Sequence, residues 1–316
     1  GFIVLRSNDP GQYQDGYVTV SAGNANTLNI GTALNLLSGS NLKARLAAYR
    51  GYNNGFMYNQ YLDDHTTNER TETMGRLKLI WSIRPKLEIK ATLLTVNLDN
   101  GYDTWSPDNS AFTTYSDKPG KDSQTLNAAV LKAEYALASQ TDLYSITSLS
   151  RADMEYSYDS DWGNDEFWAN DPYSFDPAVE GWSYDFFDKV ARVRNTRTQE
   201  LRLVHANKNE SIHVIAGAYY KDLNEQDDAE GYLFGGDESE LESEFHLRNR
   251  SAYAQIDFSP IDKITLTSNL RIGNRDTDYE DNKTTAFSLN DQLNGGKIAI
   301  LYKIDLRKPA FINAAR

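Results

Sequence analysis

The sequence predicts an all-β protein, an antiparallel transmembrane β-barrel. Apolar residues recur at every second position, aromatic residues are abundant in a polar chain, and short connections alternate with long ones. The 316 residues are 40% hydrophobic and include 20 Tyr and 5 Trp, yet mean hydropathy is -0.62. Tyr and Trp favour membrane-water boundaries because each has an apolar body and a polar tip. No apolar run approaches the roughly 20 residues that a spanning helix needs. A chain of this kind crosses a membrane with strands, whose backbone groups are satisfied by neighbours in a barrel.

The alternation is clearest at 42 to 49, where Leu42, Ala44, Leu46 and Ala48 oppose Lys43, Arg45 and Tyr49. Leu77, Leu79 and Trp81 likewise oppose Arg76 and Lys78, and Leu87, Ile89, Ala91 and Leu93 oppose Glu88 and Lys90. Further on, Leu201 and Leu203 oppose Glu200 and Arg202, and Ile264, Leu266, Leu270 and Ile272 oppose Thr265, Thr267, Asn269 and Arg271. Successive side chains of a strand point to opposite faces. The apolar sets are therefore expected toward lipid, and Arg45, Arg76, Lys78, Lys90, Glu200, Arg202 and Arg271 toward the lumen. A soluble sandwich with one wet face shows the same period.

Connection lengths separate the two readings, because outer-membrane barrels have short periplasmic turns and long outer loops. Compact connections fall at 38–41, 82–86, 138–142, 205–210 and 259–263; long polar ones are expected at about 53–70, 99–124, 155–192, 223–248 and 276–293. About twelve strands follow, the first near 13–23 and the last near 296–304.

Composition removes other classes. A net charge of -13 is the wrong sign for binding nucleic acid. The chain has no Cys, its four His stand apart, and it carries no GxSxG, HExxH or phosphate-loop motif, so no catalytic residue, metal site or cofactor is expected.

Particular strings resemble one family. GFIVLRSNDP at 1–10 is similar to the last plug strand of TonB-dependent receptors, and GYVTVSAGNANTLNIGTALN at 16–35 to the barrel hairpin that follows it. LKARLAAYRGYNNGF at 42–56, YSDKPGKDSQ at 115–124 and TQELRLV at 198–204 continue the resemblance in order. It implies a 22-stranded barrel filled by a plug, with 1–10 ending the plug and 11–316 forming an incomplete N-terminal part of the barrel. The partner-engaging N-terminal segment and a terminal aromatic strand are missing, so a fragment is expected.

The resemblance implies energised uptake of a scarce solute across the outer membrane of a Gram-negative bacterium, most often a ferric siderophore. The implied partners are the TonB energy-transducing complex, engaged through the missing N-terminal region, an extracellular chelate or other bulky solute, and outer-membrane lipid with lipopolysaccharide. A passive porin-like channel and a surface glycan-binding β-protein are the alternatives.

Aromatic residues in the expected outer loops are the ligand-binding candidates: Tyr102, Trp105, Trp162, Trp168, Tyr173, Trp182 and Tyr232. Rings offer contact area at low entropic cost, although they also hold long loops together. The acidic residues at 222–244, among them Asp227, Asp228, Asp237, Glu238 and Glu240, match no calcium-loop spacing and read as a solvated rim, which divalent ions could bridge to lipopolysaccharide.

Overall fold

The computed structural model describes residues 6–232, 239–305 and 308–315. Strands come first: β1 (Asp15–Gly23), β2 (Thr27–Ser38), β3 (Leu42–Asn53), β4 (Tyr58–Asn59), β5 (Arg70–Arg84), β6 (Leu87–Tyr102), β7 (Thr113–Thr114) and β8 (Gly120–Ala138), of which the two-residue β4 and β7 fall inside segments expected as loops. They continue with β9 (Thr141–Asp159), the one-turn helices α1 (Asp165–Ala169) and α2 (Pro177–Glu180), then β10 (Phe187–Ala206), β11 (Ile212–Gly231), β12 (Ser239–Ile261), β13 (Ile264–Asp281), β14 (Ala286–Asp305) and β15 (Lys308–Ala315). Thirteen of these form one antiparallel sheet in which every strand pairs with its sequence neighbours, and β4 and β7 make a separate parallel pair. The thirteenth, β15, lies beyond the segment where the last strand is expected. No helix among the described residues is long and apolar enough to cross a membrane.

The sheet has little core of its own: buried apolar residues include Ala33, Met57, Ala152 and Ala229, whereas Leu46, Trp81, Leu93, Leu149, Leu201, Leu270 and Ile298 are exposed. Large apolar side chains left on one face of a sheet need an apolar partner, which a bilayer supplies.

Register shows how that face is arranged. Leu46 opposes Leu77, Leu77 opposes Leu93, Leu93 opposes Ala129 and Ala129 opposes Leu149. The same row then continues into Arg197, Asp222, Arg248 and Asp276. On the later strands the apolar row is a different one, through Leu201, Ala218, Ala252 and Ile272, shifted toward the short turns. An apolar belt that crosses hydrogen-bonded rows diagonally is what tilted barrel strands produce, because the membrane plane and the rows are not parallel.

One end of the sheet carries the compact connections at 39–41, 85–86, 139–140, 207–211 and 262–263. The other carries 54–69, 103–119 and 160–186, where long loops are expected, together with the three-residue turn 24–26. Two expected loops are corrected. Among the described residues, 223–231 and 239–248 are strand, and so is most of 276–293, apart from a four-residue turn at 282–285. Asp237 and Glu238 lie outside the described residues.

Opposite charges and amides paired across strands explain the correction. On the face opposite the leucines, Arg192 Nη2 meets Asp227 Oδ2 at 2.5 Å, Arg194 Nε meets Glu225 Oε2 at 2.5 Å and Arg275 Nη2 meets Asp291 Oδ2 at 2.6 Å. On the leucine face, Asn224 Nδ2 donates to Glu244 Oε1 at 2.6 Å and Arg248 lies 3.4 Å from Asp278. Such pairs stabilise strands that are wet on both faces.

Candidate functional site

The three long loops form one hydrogen-bonded assembly above the sheet. Asn59, Asp103, Thr114 and Ser116 are at most 4% exposed. Asn59 Nδ2 donates to Asp103 Oδ2 at 2.9 Å and to the Ser116 carbonyl at 2.7 Å, Thr114 Oγ1 donates to the same carboxylate oxygen at 2.8 Å, and Asn59 Oδ1 accepts from Leu62 N–H at 2.9 Å. These contacts fix 54–69 on 103–119. The third loop is tied in by Asn164, whose amide donates to the Tyr115 carbonyl at 2.6 Å, and by a Lys118–Asp185 ion pair at 2.6 Å.

Asp161 organises the loop 160–186: it accepts from Gly163 N–H at 3.0 Å, Trp168 Nε1 at 2.9 Å and Phe186 N–H at 2.8 Å. Asp159, past the apolar belt, accepts from the N–H groups of Asp161 and Trp162. Burial pushes its carboxyl up to about 8, and the carboxylates of Asp161 and Asp117 add to the effect. Asp117 is raised as well, first by burial and then by Asp185 and Asp161.

The seven aromatic candidates separate into two groups. Trp105 and Trp162 stack with centroids 5.6 Å apart and an interplanar angle of 22°, and both are at least 40% exposed. Trp105 Nε1 lies 3.4 Å from the Tyr102 hydroxyl, and Tyr102 packs on Tyr156, which packs on Tyr158. Register puts Tyr102, Tyr156 and Tyr158 on the face opposite the leucines. This group thus lines the mouth on the inner side of the sheet. Tyr156 and Tyr158 are missing from the sequence candidates, although the alternation through Ser148 and Ser150 could have found them.

The second group is a packed cluster. Trp168 touches Phe167, Tyr173 and Tyr184; Trp182 touches Phe175, Tyr184 and Phe186; and Tyr232 lies edge-on to Phe186 at 4.6 Å. Trp168, bonded through its indole N–H to Asp161, holds the loop together, and Tyr173 and Trp182 remain 44% and 47% exposed at its edge.

Arg45, Arg76, Lys78, Lys90, Glu200, Arg202 and Arg271 all share the face opposite the leucines by register. Lys78 Nζ donates to the Ser7 carbonyl and to Asp9 Oδ1, both at 2.8 Å, so the segment before β1 lies against this face. Arg45 Nη1 donates to Asn35 at 3.0 Å, Lys90 pairs with Glu88 at 2.9 Å, and Arg271 donates to Ser251 at 3.0 Å. Glu200 pairs with Arg202 at 2.8 Å and accepts from the Tyr253 hydroxyl. Arg76 makes no hydrogen bond or ion pair among the described residues. No group of three or more His, Asp or Glu among them could hold a metal ion.

No protein-family model matches the chain. Solved structures do. The ferric yersiniabactin uptake receptor FyuA from Yersinia pestis superposes with a TM-score of 0.77 at 12% identity, over 97% of this chain and 47% of that one. The fold is that of the TonB-dependent receptor barrel. In its open form, the ferric-catecholate import receptor Fiu from E. coli K12 gives 0.75 at 14% identity, over 98% and 55%. The siderophore receptor PiuA from Acinetobacter baumannii gives 0.74 at 12% identity, over 97% and 50%. The chain spans about half the length of the receptor chains it matches.

Proposed function

We propose that this chain is part of the barrel of a TonB-dependent outer-membrane receptor that takes up a ferric siderophore with energy supplied through TonB. The observation that carries the reading is the mouth formed by Tyr102, Trp105, Tyr156, Tyr158 and Trp162, where rings gather on the inner side of a receptor-type sheet beneath a fixed loop assembly. Flat aromatic surfaces suit the catecholate, phenolate or heterocyclic parts of a chelator. In this reading the ion is cargo enclosed by its chelator.

Residues 1–10 are then the end of the plug and 11–316 a part of the barrel. Lys78, holding Ser7 and Asp9 against the inner face, supports that division. The remaining polar residues of that face line the path that the plug occupies, and the leucine face lies in outer-membrane lipid with lipopolysaccharide above it.

The test is uptake of radiolabelled iron, supplied as a panel of catecholate, phenolate and hydroxamate chelates, by cells expressing the full outer-membrane protein. Uptake of at least one chelate that stops in a TonB-deficient strain supports the proposal. Losing one ring from the stacked pair, in Trp105→Ala, is expected to weaken binding roughly 30-fold, as for a hot-spot aromatic. Equal uptake with and without TonB would leave a passive channel.

A further inference from the structure

One hollow in the molecule is outside the mouth. A trough of about 800 Å³ crosses β5, β6, β8 and β9 between β3 and β10, and its lining includes Leu77, Leu93, Leu149, Asn127, Arg151 and Arg197. Register puts all six on the leucine face. Two of its floor positions are small: Ala129 interrupts the row of Leu46, Leu77, Leu93 and Leu149, and Gly75 lies one row nearer the long loops.

Polarity divides the trough. Its floor is aliphatic, and along the edge nearer the long loops Asn127 opposes Arg151, which opposes Asn195, with Arg197 next to them opposite Leu149. Adjacent strands are about 4.8 Å apart, so these donors fall within the span of one lipid headgroup. Arg151 pairs with Asp153 at 2.8 Å but has N–H donors to spare. Arg197 is exposed and makes no hydrogen bond or ion pair among the described residues. An exposed guanidinium at the upper limit of an apolar belt is complementary to an anion attached to a hydrocarbon tail.

We infer that this trough binds one phosphorylated lipid of the outer leaflet, with its phosphate on Arg151 and Arg197 and an acyl chain along Leu77, Leu93 and Leu149. The inference rests on the outer-membrane reading above and adds a specific partner to it. A soluble anion would leave the leucines unused, and a neutral lipid would offer no anion to the remaining donors of Arg151 and to the exposed Arg197.

The full outer-membrane protein is purified, delipidated and titrated with monophosphoryl lipid A, its dephosphorylated analogue and inorganic phosphate, with bound lipid counted by native mass spectrometry. One phosphorylated lipid per barrel is expected. The double variant Arg151→Gln/Arg197→Gln should bind it about 30-fold less tightly, each basic residue near an anionic lipid surface contributing roughly fivefold. Ala129→Phe fills the trough without touching the arginines and should also displace it. Equal affinity for the dephosphorylated analogue, equal competition by inorganic phosphate, or a dimer that disappears in Ala129→Phe would each overturn the inference. Heat-modifiable migration and iron uptake are measured on the same samples. If both are retained while lipid binding is unchanged in the variants, only the lipid site is wrong. If both are lost in the wild type, the receptor reading fails.

Discussion

Replacing Asn59 by alanine should open the loop assembly without unfolding the sheet. Its side chain makes three hydrogen bonds, two donated to Asp103 Oδ2 and the Ser116 carbonyl and one accepted from Leu62 N–H, in a site that is 0% exposed. The bond to a carboxylate and the two neutral bonds together stabilise the closed assembly by about 3 kcal/mol, taking roughly 1.5 for the charge-assisted bond and roughly 0.5–1 for each neutral one, the lower ends of their ranges. At 1.4 kcal/mol per decade, local opening becomes about 100-fold more frequent. Amide hydrogen exchange reads this directly at Tyr58, Asn59 and Gln60, whose N–H groups bond Phe112, Asp64 and Thr114. Protection there should fall by about two decades, with Ala91 and Leu131 in the belt unchanged. The reasoning is refuted if protection at 58–60 changes less than threefold, or if the belt loses protection to the same extent.

Asp159 gives a pH dependence of defined sign. Its folded-state value of about 8 lies above that of an unfolded aspartate, so the closed loop binds the proton more tightly. Its packing is firmest at low pH and loosens as pH rises from about 4 to about 8. Protection of Trp162 N–H, corrected for intrinsic exchange, should decline across that window, and Asp159→Asn, which keeps an oxygen acceptor, should abolish the decline. Gly120→Ala would place a Cβ 1.8 Å from the Ser157 carbonyl oxygen; the overpacking should destabilise the start of β8 by about 1–3 kcal/mol, seen as lower thermal stability in detergent. An impermeant maleimide should label a cysteine placed at Asp165 in intact cells but not one at Asn41, and the reverse pattern would invert the topology.

Much of this arrangement is legible in the sequence. Alternation at 42–49 and 75–93 is strong because the lipid side is leucine-rich and the inner side carries Lys and Arg, so one period reports both faces. The same signal fails at 223–231 and 276–281, where both faces are wet and Asp and Glu sit on each. What makes those segments strands is their partners, such as Arg192 for Asp227 and Asn224 for Glu244, and pairing between distant residues is invisible along a single stretch of chain. Among the aromatic candidates, content alone points to the loops. Whether a ring stands at the mouth like Trp105 or braces a loop like Trp168 depends on tertiary contacts that no spacing encodes.

The diagonal passage of the apolar belt across the hydrogen-bonded rows has a consequence for assembly. Sliding any one strand by two residues preserves its inside-outside alternation and nearly all of its ladder bonds, so neither would reject the error. Such a slip moves that strand's greasy stretch by about 6.6 Å relative to its neighbours, lifting leucines into the headgroups or drawing arginines into hydrocarbon. The bilayer thus acts as a gauge, selecting the one alignment in which all the strands present their oil-soluble sections at a common depth.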